Sequence, residues 1–515
     1  MSPAELSVLI ARLTGIAHEM GEVLRRGAFS PNIKERADCS AALFTAEGKL
    51  LVQAEHIPVH LGSMPASVAA AIASLGDEVR AGDQVVLNDP FAGGTHLNDI
   101  TVVAPVHVDN GSRLIGWVAN RAHHADLGGA APGSMPADAT DIAQEGLRIP
   151  PVKLTAEVVA MVVASSRTPA ERSGDLDAQV GANNLGISRF AELGDSGLDE
   201  VVAYGERRMR AALRELADGT WRFSDVLDSF GSAPYQQVPT KIAVEVTVDG
   251  DEIIFDFTGT DSQRLGNVNA VESVTVSAVG WALRSVLDPT IPANGGAMVP
   301  VRVVTGSGSV VAAEFPAAVG AGNVEVSQRI ADVCLGALAQ VVPARVPAAG
   351  QGTMNNVLIG GDGWVTYETI AGGQGAMDGL GGMSGVHTAM TNSLNTPTEA
   401  LERTYPMRVL RYRLRRGSGG SGAWVGGDGI ERDLLMLEDV TLSLITERRV
   451  SQPWGLSGGE SGAVGENWLL LGGDEALAER LPDKCTLRLK AGDVLRMLTP
   501  GGGGWGDSAG DRGEH

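Results

Sequence analysis

The stretch that decides the fold runs from Asp83 to Gly129: DQVVLNDPFAGGTHLNDITVVAPVHVDNGSRLIGWVANRAHHADLGG. Three apolar, β-prone runs stand out in it, DQVVLNDP, DITVVAPVHV and RLIGWVAN. Each is followed by Asp, Asn or Gly, residues that end strands and open turns. The pattern predicts three strands with polar residues at their ends and in the loops between, where function is usually placed. Two of these loops carry histidine. GGTHLNDI holds His96 and Asp99, and NRAHHADLGG holds His123, His124 and Asp126. Both contain His-x-x-Asp, and imidazole nitrogen together with carboxylate oxygen suits borderline divalent metals. A straight strand would point residues three apart to opposite faces, so one ion is served only where a loop bends into a strand. The competing reading is an ordinary loop, because Asp or Asn at a strand start often closes a local turn. His-x-x-Asp is weak when alone, and its repetition in neighbouring loops puts the two readings on an equal footing.

Outward from this stretch the chain alternates in character. At the N-terminus, Ser2 can cap a helix, Pro3 suits its first turn, and Leu6, Leu9, Leu13, Ile16, Met20 and Leu24 fall on one stripe. Glu5, Glu19 and Glu22 argue against a targeting segment there. SAALFTAEGKLLVQ predicts a hairpin, and PASVAAAIASLG a helix stopped by Gly76. Between about 154 and 219 the pattern is helical. TKIAVEVTVDGDEIIFDFTGT then predicts a second hairpin, with helices near 272–287 and 325–342, and the last third reads as short strands parted by glycine turns. The class is α+β and multi-domain: an N-terminal α/β region over 1–230, a C-terminal α+β region with a β-rich end over 231–507, and a frayed tail over 508–515.

Composition narrows the function. The 515 residues include 40 basic and 62 acidic side chains, a formal charge of −22. That balance opposes non-specific binding to nucleic acid or an anionic membrane and leaves small molecules, metals or proteins as partners. No run approaches the ~20 uninterrupted apolar residues of a membrane helix. Cys39, Cys334 and Cys485 are odd in number and widely spaced, which predicts free thiols in a reducing cytoplasm. The 68 glycines cluster without a fixed period and predict tight turns and close backbone approaches. A P-loop, a G-x-S-x-G elbow and zinc-type cysteine pairs are all absent, and GGQGAMDGLGG lacks the strand and helix context of a dinucleotide site. Tyr367, Glu368, Glu399 and Glu402 read as structural hydrogen-bonding or helix-surface residues.

LNDPFAGGTHLNDITVVAPV, NRAHHADLGGAAPGSMPADAT, EGLRIPPVKL, GNVEVSQRI, NSLNTPTEALERTYPMRVLRY and TPGGGGWGD, in that order, resemble the hydantoinase B family over roughly residues 5–507. The family includes B subunits of hydantoinases, the C-terminal half of 5-oxoprolinase, caprolactamase-type lactamases and subunits of acetone-type carboxylases. The resemblance implies a zinc or manganese site made by Asp38 in KERADCSAALF, His96, Asp99 and His123. His124 competes with His123 for the last position, although spacing within the family favours His123. It also implies an A-type ATPase subunit that phosphorylates a carbonyl oxygen with ATP, assembling with this chain as a dimer of heterodimers. Phosphorylation would convert a resonance-stabilised amide into a good electrophile, and the metal would help supply the nucleophile. Asp126 and His124 are then candidates to orient His123 or to act as base. The implied function is ATP-dependent opening of a hydantoin, 5-oxoproline or related lactam; a carboxylase subunit and a non-catalytic, metal-stabilised scaffold for the ATPase are the alternatives.

Overall fold

The computed structural model describes residues 1–54, 58–60, 62–76 and 78–507, so His56, His515 and the tail expected to fray lie outside the described residues. The long N-terminal helix forms as expected: α1 (Pro3–Gly27) starts with a capping box between Ser2 and Glu5, and its predicted stripe is buried. A short turn, α2 (Pro31–Lys34), leads into the predicted hairpin, β1 (Cys39–Thr45) and β2 (Leu50–Ala54), and α3 (Ser63–Leu75) ends at Gly76.

The three strands of the opening stretch are β3 (Val85–Leu87), β4 (Asp99–Val108) and β5 (Arg113–His123), and β6 (Val152–Lys153) closes their sheet. The sheet order is β2-β1-β5-β4-β3-β6, with every neighbour antiparallel. Its two faces are both covered, which explains why β1 is buried at every position. Ala41 and Leu43 pack with Leu9, Leu13 and Met20 of α1, whereas Ala42 and Phe44 pack with Met64 and Val68 of α3. The 18-residue stretch Pro58–Leu75, which contains α3, is long and apolar enough to cross a bilayer by composition, contrary to expectation. Burial of Met64, Val68 and Ala71 against the sheet gives it the character of a core helix.

The helices α4 (Ala156–Ser165), α5 (Pro169–Leu193) and α6 (Leu198–Leu213) follow. α5 crosses the sheet with an amide ladder as well as with apolar contacts. Gln179 donates to the Ile100 carbonyl and the Asn120 side chain, and Asn183 donates to the Val102 carbonyl and to Gln84.

A second sheet contains β7 (Gly219–Leu227), β8 (Thr240–Asp249), β9 (Glu252–Asp256) and β10 (Val301–Val304), overlaid by α7 (Glu272–Val286) and the wholly buried α8 (Ser327–Leu338). The division expected near residue 230 falls between β7 and β8, which are antiparallel partners. The largest hydrophobic cluster likewise draws side chains from both sides of it, from Val59 to Ile445. The C-terminal region holds β11 (Asn356–Gly361), β12 (Trp364–Thr369), the helix α9 (Thr398–Thr404), β13 (Met407–Arg415), β14 (Gly429–Met436), β15 (Val440–Ile445), β16 (Glu466–Leu470), β17 (Ala478–Leu481), β18 (Lys484–Leu489) and β19 (Val494–Leu498). These make two sheets, β12-β11-β15-β18 and β13-β14-β19-β16-β17, that share one core.

The glycine-rich segments are not simple turns. Gly427 donates to Gln374, Gly502 to Gly427, Gly420 to Gly502, and Ala376 to Gly503, so irregular extended segments far apart in sequence hold one another by their backbones. A methyl group added at Gly503 would overlap the Trp454 carbonyl oxygen, and one at Gly427 that of Met383. Close approach is what requires glycine there.

Candidate metal centre

The strand ends of the first sheet make the site. Asp99 opens β4, and its register partner on β5 is His123, so two residues far apart in sequence stand side by side. His96 precedes β4 in a tight turn in which the Asp99 amide donates to the His96 carbonyl. That bend brings residues three apart onto one side. Ligand atoms of His96, Asp99 and His123 lie within 4.8 Å of one another, and all three residues are buried.

The Asp99 carboxylate has two different ends. Its Oδ2 accepts from Thr95 Oγ1 at 2.7 Å and Asn323 Nδ2 at 3.1 Å, with His60 Nε2 at 3.5 Å. Its Oδ1 has no hydrogen-bond partner and faces His96 Nε2 at 3.1 Å and His123 Nδ1 at 3.5 Å. Both ring nitrogens of His96 and Nε2 of His123 are also buried without a hydrogen-bond partner. Buried polar atoms are nearly always satisfied, so lone pairs gathered in one place fit a cation better than a closed protein network. Two imidazoles and one carboxylate suit zinc or manganese and leave coordination positions for water or substrate.

Electrostatics agree with that fit at Asp99 and His123. Burial opposes the charge on Asp99, but the His96 charge and the close approach of the His123 and His60 imidazoles hold its carboxyl well below the usual range. Burial pulls the His96 imidazole down, but the facing Asp99 carboxylate together with the charges of Glu145 and Asp38 outweighs it and raises the pKa, so an ion bound there has to displace a proton from His96. His123 is depressed by burial and therefore favours the neutral form that ligates metals.

The remaining expected site residues lie apart from this set. The Asp38 carboxylate does not join the three groups within the same distance. It lies 4.0 Å from the Arg36 guanidinium, and its backbone carbonyl accepts from the His123 amide at 3.0 Å. His124 points the other way: its Nε2 meets Gln179 Oε1 of α5 at 2.9 Å. Burial and the Arg172 charge push His124 down to about 4. Consecutive residues at a strand end face opposite sides, which separates His123 from His124. Asp126 does not orient His123. Its carboxylate accepts from the amides of Gly128, Gly133 and Arg167 and pairs with the Arg167 guanidinium at 2.9 Å, so it locks the loop. Of the residues assigned a structural part, Glu368 accepts from the Thr396 amide and pairs with Arg432 at 2.5 Å, and Glu402 accepts from the Val409 amide.

Four residues around the cluster were not singled out for it from the sequence. They are His60, whose Nδ1 meets Ser40 Oγ at 2.9 Å, Thr95, Asn323 and Tyr367. The Tyr367 ring stacks on His123 at 4.7 Å between centroids, with the Arg36 guanidinium 4.6 Å from the Tyr367 centroid. Thr95 and Asn323 stand within quoted motifs, GGTH and GNVEVSQRI, but residue type alone gives no hint that Asn323 meets an Asp 224 positions away.

The family model described as hydantoinase B/oxoprolinase matches residues 2–508. An uncharacterised protein of Methanocaldococcus jannaschii is 40% identical over 98% of this chain and 91% of its own length. The 5-oxoprolinase 1 of Arabidopsis thaliana is 38% identical over 98% of this chain, which spans only 42% of that protein. Among solved structures, the ATP-dependent caprolactamase from Pseudomonas jessenii superposes with a TM-score of 0.91 at 27% identity, covering 98% of this chain and 91% of that one. An acetone carboxylase in its nucleotide-free form shares the fold, with a TM-score of 0.90 at 20% identity over 98% of this chain and 76% of that one.

Proposed function

The chain belongs to the hydantoinase B/oxoprolinase family, and from that premise we propose that it is the metal-bearing part of an ATP-dependent enzyme that opens a cyclic amide. The observation that carries the reading is the convergence of His96, Asp99 and His123, buried, with four of their nitrogen and oxygen atoms left without hydrogen bonds. These residues would hold a divalent ion, zinc or manganese, with Asp38 nearby as a further carboxylate. Bound there, the ion supplies Lewis acidity toward a carbonyl or phosphoryl oxygen and toward water.

The chain's own residues do the rest. Thr95 and Asn323 occupy Asp99 Oδ2 and leave Oδ1 free to ligate. Tyr367 fixes the plane of the His123 ring and, with its buried neighbours, keeps bulk water from that side. An A-type ATPase is the partner that activates the amide by phosphorylating its carbonyl oxygen. The large part of 5-oxoprolinase 1 that this chain does not span leaves room for such a half within one polypeptide, and here we place it on a separate subunit. A reactive phosphorylated amide should not cross bulk water, which favours a stable assembly, and we propose a dimer of heterodimers.

The test is co-expression with the genomic A-type partner, followed by assays of ATP hydrolysis and ring opening on hydantoin, 5-oxoproline and ε-caprolactam. A parallel assay supplies acetone with bicarbonate. Ring opening that disappears together with bound metal in His96→Ala supports the proposal. Full metal content and turnover in that variant refute the site, and turnover only with ketone and bicarbonate replaces the amidohydrolase by a carboxylase. Metal loss that unfolds the chain without changing turnover of the assembled complex would identify a scaffold.

A further inference from the structure

Glu145 is a buried carboxylate close to the candidate metal centre, and its charge acts on His96. It stands at the end of a tight turn whose backbone is tied to both ligand-bearing loops. In the loop that follows His123, the Ala130 amide donates to the Gln144 carbonyl and the Leu127 carbonyl accepts from the Leu147 amide. On the other side, Asn88 Nδ2 donates to the Leu147 carbonyl at 2.9 Å and to the Leu97 carbonyl at 2.7 Å, which fastens the same turn to the His96 loop.

The carboxylate itself reaches across to the second half of the chain. Its Oε2 accepts from the Val319 amide at 3.1 Å and its Oε1 from the Gly320 amide at 2.7 Å, a pair of charge-assisted bonds to consecutive peptide groups. A methyl group added at Gly320 would come within 2.9 Å of that Oε1, so glycine permits the approach. Directly afterwards the backbone widens into one π turn, Gly322–Val326, closed by the Ser327 amide on the Gly322 carbonyl. Such turns recur at functional sites. The Asn323 carbonyl accepts instead from Ser327 Oγ at 2.7 Å, and the Asn323 side chain donates to Asp99 Oδ2 at 3.1 Å. Only Ala321 and Gly322 separate the clamped Gly320 from Asn323, so the place where the two amides are held decides whether Asn323 meets Asp99.

We propose that Glu145 is a positioning residue for the metal centre: it holds the Val319 and Gly320 amides, and the π turn that follows then presents Asn323 to Asp99 Oδ2, which keeps Oδ1 turned toward His96 and His123. The inference rests on the metal-bearing reading of those three residues and adds to it a residue that touches neither ion nor substrate. Outer partners that orient a ligating carboxylate are worth about 10–100-fold in metal affinity, which sets the size of the effect to look for.

The test titrates zinc and, in parallel, manganese into the metal-free full-length chain at pH 8, above the value of about 7 to which burial pushes the Glu145 carboxyl. Competition with a chelator of known affinity gives Kd, and melting of the metal-free protein is followed alongside. Glu145→Gln replaces one acceptor oxygen by a donor, Glu145→Asp keeps the charge on a side chain too short to hold both amides, and Asn323→Ala removes the group that meets Asp99. The expected result is a metal Kd raised about tenfold or more in each of the three. The double variant Glu145→Gln/Asn323→Ala should bind no more weakly than the weaker of its parents, because both changes break the same link. Wild-type affinity in both Glu145 variants, even where their melting temperatures fall, overturns the inference and leaves the metal site standing, as does wild-type affinity in Asn323→Ala. Affinity lost in Glu145→Gln and kept in Glu145→Asp assigns the effect to charge alone and overturns the clamp. Losses that multiply in the double variant place Glu145 outside the route through Asn323 and overturn it too. A wild type that binds neither zinc nor manganese sinks the metal site together with the inference. If Glu145→Gln fails to fold, Glu145→Asp takes its place in the single and double variants.

Discussion

At the scale of single residues, the sequence named the three groups that converge and could not choose between two adjacent histidines. The choice follows from the strand end: His123 faces Asp99, while His124 faces Gln179. This separation predicts opposite phenotypes. His123→Ala should lose bound metal, whereas His124→Ala should keep wild-type metal content and lose about 2–3 kcal/mol of stability through a missing buried hydrogen bond and a cavity. Metal analysis together with urea denaturation of the two variants decides the matter, and metal loss in His124→Ala with retention in His123→Ala would reverse the assignment. Asp38, carried over from the family resemblance, and Asp126, chosen for its place beside His123, have surroundings that neither motif announces. Both are acids beside the right motifs, but one is drawn toward Arg36 and the other is consumed by loop amides. Those partners lie in other segments, and no local pattern announces them.

At the scale of elements, periodicity served well wherever a face was buried. The α1 stripe, the two hairpins and the helix stopped by Gly76 all form where the alternation placed them. It found the short strands of the last third but could not tell which glycines turn the chain and which pack backbone on backbone, because the two kinds of cluster look alike. The structure separates the two uses. Gly503 sits against the Trp454 carbonyl, whereas Gly181, inside α5, has nothing within 4 Å of an added methyl group. Gly503→Ala should therefore be insoluble or destabilised by more than about 3 kcal/mol, since the clash is with backbone that cannot yield. Gly181→Ala should instead stabilise by about 0.5–1 kcal/mol through helix propensity. Comparable melting temperatures for the two variants would contradict the packing described for the glycine segments.

At the scale of the whole molecule, distant segments are joined by buried polar groups that hydropathy does not reveal. Glu325, ahead of α8, accepts through Oε1 from Thr353, Met354 and Asn356, while its Oε2 has no partner. Burial raises its pKa from 4.5 to about 7, against the pull of Lys484 and Arg449. Below 4.5 folded and unfolded chains are both protonated here and the stability is fully present. As the pH rises toward 7 only the unfolded chain sheds its proton, so stability falls, by on the order of 3 kcal/mol in total. Glu325→Gln should remove that part of the decline, which is read as a smaller difference between melting temperatures at pH 5 and pH 8 than in wild type. The candidate metal site joins the molecule in a comparable way, since Asp99 is held by Asn323 from the second half of the chain while His96 and His123 stand in the loop and strand end beside it. An ion that binds only this folded arrangement adds RT ln(1 + [M]/Kd), about 2.7 kcal/mol at a hundredfold excess over Kd. Chelator-treated wild type should thus melt higher after zinc or manganese is restored, in proportion to the logarithm of the metal concentration. His96→Ala should not respond, and His124→Ala should respond as wild type does. A wild-type melting temperature indifferent to metal would mean that the three buried groups do not hold an ion, because ligands brought from a loop and two strands cannot bind one without opposing their separation on unfolding.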